Sequence, residues 1–210
     1  MNSTKAPTSS ISLSGINKLR VHQVHEFAEL LGFETRNKYQ ILTESGQMLA
    51  FAAEQQKGLW NLLVRQYLGH WRKFDVLFFN PNREIILVCH HPFRWFFERI
   101  EVRDSDGKLF GAIQKRFAIF TKRFDVENER GLVIMEVASP LWKIWSFVFK
   151  THGKATAKVT KNWSGILSEA FTDKDNFTVE YTDTSLSENE KKLVMVSSVF
   201  IDLLYFENKK

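Results

Sequence analysis

Cysteine is nearly absent: Cys89 is the only one in 210 residues. A lone thiol excludes an intrachain disulfide framework and any cysteine-rich zinc site. It sits in "EIILVCHH", which reads as a buried strand and fits a reducing compartment. Glycine (10) and proline (4) are too sparse for a low-complexity or collagen-like chain. No apolar run reaches the roughly 20 residues of a membrane span. The longest, Leu193 to Phe206, is broken by Ser197, Ser198 and Asp202 and reads as a buried core helix, with a single membrane pass as the alternative. The start "MNSTKAPTSS" lacks the apolar region of a signal peptide. Catalytic signatures are missing too. There is no Gly-rich phosphate loop, no nucleophile elbow, no HExxH and no nucleophile with an identifiable base, so no bond-making enzyme is expected. His22 and His25, and the adjacent His90 and His91, have no cysteine or carboxylate cluster at zinc spacing and are expected to be structural.

Aromatic residues are plentiful: 19 Phe, 6 Trp and 4 Tyr, within a hydrophobic content of 44%. Such a chain can bury a large core in one domain. The net charge of +5 favours anionic partners, nucleic acid or acidic lipid headgroups. The basic residues are scattered, with no recognition helix or stacking motif, which argues against nucleic acid.

A polar segment over 1–15 is expected to be a disordered tail. Leu19, Val24, Phe27, Leu30 and Leu31 recur at helical spacing before Gly32, which predicts a helix over 16–32. From there the period becomes two. Turn signals at "ESGQ", "NPNR", "DSDG", "ENERG" and "THG" separate paired strands: 39–43 with 48–53, 74–79 with 84–90, 95–103 with 108–115, 117–126 with 132–138, and 142–150 with 154–161. A further strand covers 176–182, with 165–170 as a candidate partner, and an apolar helix covers 187–207. About twelve short antiparallel strands predict a sandwich or closed barrel. A helix apolar almost all round must be buried, and a barrel of that size needs filling.

The blocks "GFETRNKYQI" (Gly32 to Ile41), "FAAE" (Phe51 to Glu54), "KVTKNWSGILSEAFTDKDNF" (Lys158 to Phe177) and "FIDLLYFE" (Phe200 to Glu207) resemble the phospholipid scramblase family, over roughly Leu19 to Glu207. The resemblance implies a mostly β, Tubby-like closed barrel of about twelve antiparallel strands around a buried C-terminal helix, with the barrel domain at 33–208. It also implies membrane association and transbilayer movement of phospholipids, with calcium stimulation. The alternative is a Tubby-like module that binds anionic lipid headgroups or a protein partner without scrambling. The implied location is cytoplasmic, or peripheral on the cytoplasmic face of a membrane.

This chain departs from the family in having no proline-rich N-terminal tail and no cysteine clusters for acylation. The matching segments hold Trp60, Tyr67, Trp71, Arg72, Lys73, Arg94, Trp95, Trp142 and Trp145 instead. Tryptophan interleaved with Lys and Arg is the composition of a membrane-interface contact. The other reading is that these aromatics plug the barrel or pack between its loops.

Two further segments are candidates. In "FTDKDNFTVEYTDT", Asp173, Asp175, Asn176 and Asp183 are candidate calcium ligands, in a segment that the family is proposed to use for weak calcium binding. Against a twelve-residue EF-hand loop begun at Asp173, three positions fail: Phe177 at five, Thr178 at six and Thr184 at twelve. The alternative is an Asx turn opening a strand. In "KATAKVTKNW", Lys154, Lys158, Lys161 and Trp163 form a basic stretch. The resemblance implies an importin-binding signal or a headgroup contact there, and a solvated strand face is the simpler account.

Overall fold

In the computed structural model the described residues are 10–24, 37–55, 74–92, 98–140, 142, 145–162 and 176–206. Twelve strands follow one another: β1 (Lys18–Val24), β2 (Lys38–Thr43), β3 (Met48–Gln55), β4 (Phe74–Phe79), β5 (Ile85–His91), β6 (Arg99–Asp104), β7 (Leu109–Arg116), β8 (Thr121–Asn128), β9 (Val133–Pro140), β10 (Ser146–Thr151), β11 (Lys154–Asn162) and β12 (Asn176–Tyr181). Each pairs antiparallel with its sequence neighbours, and β1 pairs with β12, closing the barrel. The helix α1 (Glu188–Tyr205) runs through the interior, with twelve of its residues buried.

Inward and outward alternation along the strands explains the filling. Leu19, Ile41, Val76, Val102, Val126, Val137, Val159 and Val179 are fully or almost fully buried on the inner face. They pack with Leu193, Val196, Val199 and Phe200 of the helix in one continuous core. Burying each such side chain contributes about 1.5–3 kcal/mol. Gly111 lies where β7 meets the helix. A Cβ there would sit 2.6 Å from the Glu127 carbonyl and 2.9 Å from the Leu193 methyls, so only glycine lets the two elements approach.

The five predicted hairpins are all present, in the predicted pairs. Two expectations at the N-terminus are corrected. Residues 18–24 of the expected helix over 16–32 form strand β1. Leu19, Val21 and Gln23 are buried while Lys18, Arg20 and His22 are more exposed, which is a period of two. Residues 25–32 lie outside the described residues. β1 also takes the place next to β12 that the sequence offered to 165–170, a segment likewise outside the described residues. The expected disordered tail over 1–15 is ordered from Ser10 onward. Ile11 and Leu13 are buried, the Leu13 N–H donates to Glu188 at 2.7 Å, and Lys191 Nζ donates to the Leu13 and Ile16 carbonyls at 3.2 Å. The observed helix ends within two residues of the predicted 187–207.

Candidate functional site at the open end of the barrel

The sequential order of strands makes the two barrel ends unlike. The tight hairpin turns and the helix N-terminus share one end. The strand ends joined by the six connections between hairpins, from β1–β2 to β11–β12, share the other, where α1 terminates at Phe206.

At this open end the inner face changes character. Gln23, Asn37, Glu54, His91, Glu98, Ser139 and Lys161 are buried there, each on or beside a different strand. Gln23 donates to Asn37 at 3.2 Å, and Asn37 donates to Glu54 at 2.7 Å. Lys115 pairs with Glu98 at 2.9 Å. On the helix, Asp202 is fully buried; it accepts from the Tyr39 hydroxyl at 2.8 Å and lies 3.7 Å from Lys161 Nζ. The Lys161 ammonium also stands 3.9 Å from the Phe206 ring centroid and 5.4 Å from that of Phe177. Lys122 lies 4.6 Å from the Phe206 centroid and 4.8 Å from that of Tyr205. The last helical turn carries no basic residue of its own. These strand lysines supply the positive charge that a helix C-terminus favours. Burial pushes the Tyr205 hydroxyl well above the usual range, with Glu98 adding to it, so it stays protonated.

Outside this ring lies an exposed apolar rim. The β7–β8 connector presents Phe117 (77% exposed), Ile119 (68%) and Phe120 (72%), and Trp142 (77%) stands in the β9–β10 connector. Thr121 and Pro140 are cross-strand partners, so the two connectors are neighbours. The sequence reading placed Phe117 to Phe120 inside a strand and therefore missed this part of the rim, although it singled out Trp142. The signal was available: the four residues before Thr121 hold three large apolar side chains with no alternating polar partner.

Of the residues singled out in the sequence, Trp60, Tyr67, Trp71, Arg72, Lys73, Arg94, Trp95, Trp163, Asp173 and Asp175 lie outside the described residues. Trp145 is half-buried and stacks on Phe206 at 5.7 Å between centroids, so it helps close the mouth. The three lysines of the basic stretch do not share a face. Lys154 is exposed and paired with Asp183 at 3.0 Å. Lys158 is half-buried opposite Glu180, and Lys161 points inward. A uniform solvated strand face is therefore corrected: β11 alternates and carries a bulge opposite Phe149–Lys150, which splits the set.

The calcium set is divided as well. Asn176 opens β12 and Asp183 follows its far end, roughly 20 Å away at strand rise. Asp183 is engaged by the Ser185 hydroxyl and N–H and by Lys154, which hold its carboxyl down at about 2. It is a turn-forming aspartate and fits poorly as a ligand in common with Asn176. Asn176 Oδ1 is buried and accepts no hydrogen bond, which fits an oxygen ligand. No group of three or more His, Cys, Asp or Glu suited to a metal occurs among the described residues. Cys89 is buried, and its thiol is pushed well up by burial and by Asp75, so it is chemically quiet. Among the described residues no helix is long and apolar enough to cross a membrane.

These features meet a consistent set of relatives. Phospholipid scramblase 1 of Homo sapiens is 29% identical over 213 residues, covering 93% of this chain and 65% of that protein. Phospholipid scramblase 2 of Bos taurus is 28% identical over 214 residues, covering 93% and 70%. A phospholipid scramblase family protein of Schizosaccharomyces pombe is 25% identical over 209 residues, covering 94% and 54%. The chain thus spans 54–70% of the length of these relatives. An X-ray structure of a protein from Arabidopsis thaliana superposes with a TM-score of 0.48 at 10% identity, over 89% of this chain and 90% of that one. The family model described as Scramblase matches residues 2–208, and the chain belongs to that family.

Proposed function

We propose that this chain acts on phospholipids at the surface of an anionic membrane and promotes their movement between leaflets. The observation that carries this, beside family membership, is the exposed Trp142 on the open rim, the interface residue that the sequence pattern anticipated. The mechanism must respect the filled barrel. Twelve buried helix residues leave no lumen for a headgroup. A polar headgroup crossing hydrocarbon without partners costs several kcal/mol. Lipid is therefore engaged from outside, at the rim, where the chain's contribution is to perturb the adjacent leaflet.

Reconstituted into vesicles with fluorescent lipid, the protein should raise the fraction bleached by external dithionite above that of empty vesicles. Bleaching equal to that of empty vesicles, both with and without calcium, would reject lipid movement. Calcium, when bound, would supply charge neutralisation between anionic headgroups and protein carboxylates. Asn176, with Asp173 and Asp175, is the proposed set, and calorimetric titration of wild type and Asn176→Ala tests it. Heat at millimolar calcium that the substitution removes is the expected result.

The filled barrel also favours a second reading, a binding module for anionic headgroups or a protein partner with no scrambling. Vesicle binding without accelerated bleaching selects it.

A further inference from the structure

Nine consecutive residues, Lys115 to Arg123, read "KRFAIFTKR": two cations, a four-residue apolar centre, Thr121, then two cations, and no acid. The structure turns this run into a finger. Arg116 and Arg123 are the last paired residues of β7 and β8, so the cations flank the base of the connector while Phe117, Ile119 and Phe120 stand out at its tip. The carboxylates that meet Arg116 and Arg123 lie deeper along the barrel wall. Arg116 reaches Asp125 at 2.6 Å and Glu127 at 3.4 Å, and Arg123 lies 3.7 Å from Glu136. Asp125 and Glu127 stand opposite Gln114 and Ala112, further from the rim than Arg116. Each pair is thus oriented with its positive end toward the tip. The Arg116 and Arg123 side chains remain 41% and 46% exposed.

We propose that the β7–β8 connector, residues Phe117 to Phe120, is a membrane-insertion finger. It places its apolar side chains at the acyl boundary of an anionic bilayer, with Arg116 and Arg123 at the headgroup phosphates and Trp142 as a second contact. This rests on the membrane reading above and adds the residues and the orientation: the open end of the barrel faces the bilayer. The occupant is a bilayer rather than a protein because a cation-collared apolar tip gains from depth of insertion and from acidic headgroups. Among the described residues, the other large exposed apolar side chains, Ile85, Leu132 and Val133, lie at the opposite end without such a collar.

The test is flotation of the full chain with phosphatidylcholine vesicles, with and without phosphatidylserine. Wild type should float with the acidic vesicles, less so at about 0.5 M salt. Phe117→Ser/Ile119→Ser/Phe120→Ser should lower the partition coefficient roughly tenfold or more, with unfolding by heat unchanged. Leu132→Ser/Val133→Ser should bind as wild type. Depth is read independently. Because Cys89 is buried, a polarity-sensitive dye can be attached to Ile119→Cys or, as control, Leu132→Cys. Quenching by spin-labelled acyl chains at position 119 and not at 132 is expected. Wild-type flotation with an unimpaired triple variant and an unquenched 119 label would overturn the finger while leaving membrane binding intact. Absence of wild-type flotation on any vesicle would overturn both. A protein that floats through the finger but does not accelerate bleaching would sustain the finger and sink lipid movement.

Discussion

Asp202 and Lys161 show what one buried charge demands. Asp202 is fully buried on the helix, and its stabilising partners, Tyr39 and Lys161, come from strands at opposite ends of the sequence. Removing one member of a buried pair leaves the other uncompensated, at a cost of about 3–5 kcal/mol. Lys161→Met should therefore lose roughly that much in urea denaturation, and Lys161→Met/Asp202→Asn should recover part of it, a coupling that a double-mutant cycle measures. Asp183 gives a pH prediction. Its folded pKa is depressed to about 2 by the Ser185 hydroxyl, the Ser185 N–H and Lys154. The stability it contributes is complete above its unfolded value, near 4, and is lost as pH falls through about 2. Thermal unfolding of Asp183→Asn between those limits should show a weaker pH dependence than wild type; parallel curves would contradict the assignment. Neither role was visible in the sequence. "FIDLLYF" shows an aspartate among apolar residues but not which strands will answer it, and Lys161 looked like one of three equivalent lysines until the pleat separated them.

The elements were more legible than their contacts. Period-two runs and turn signals located the strands at 38–55, 74–91, 99–116, 121–140 and 146–162 as hairpins, because each register is set locally by its turn. β1 was misread because five apolar residues over 16–32 also satisfied a helical period, and the partner that settles the matter, β12, lies more than 150 residues away. The connector 117–120 was lost for the converse reason: apolar content was taken as strand. The helix itself was well marked at its start. Ser187 accepts from the Glu190 N–H while the Glu190 side chain returns to Ser187, a capping box. Ser187→Ala should cost about 1 kcal/mol. Gly111→Ala should cost more, about 1–3 kcal/mol, because backbone as well as Leu193 must give way. Chemical denaturation of both variants checks the ranking.

For the whole molecule, the interior position of α1 makes a prediction about action. A helix held among twelve strands, with Asp202 bound to two of them, has no reason to leave during the proposed lipid movement. Asp202→Asn, which loosens the hold of Tyr39 and Lys161 on the helix, should not raise dithionite bleaching above that of wild type. Faster bleaching by that variant would show that the helix must move. The ring of polar residues at the open end escaped the sequence for a reason of scale: it takes one residue on or beside each of seven strands, and such a set is contiguous only after closure. The family resemblance supplied the architecture, whereas the rim and its charge orientation required the assembled barrel.

The position of α1 also has a kinetic consequence. It is the last of the described elements to leave the ribosome, yet it fills the space that every strand faces. Until the last two elements arrive, β1 has no β12 to close against, and a row of inward Val, Leu and Phe side chains has no helix to pack on. Strands formed early must wait as open-edged sheet, a state prone to aggregation. Pairings spanning most of the chain also make closure slow. Biogenesis of this barrel is thus a problem of holding an unfilled shell open and soluble until its own plug is synthesised, and a chain stopped before Ser187 should be recovered in the insoluble fraction.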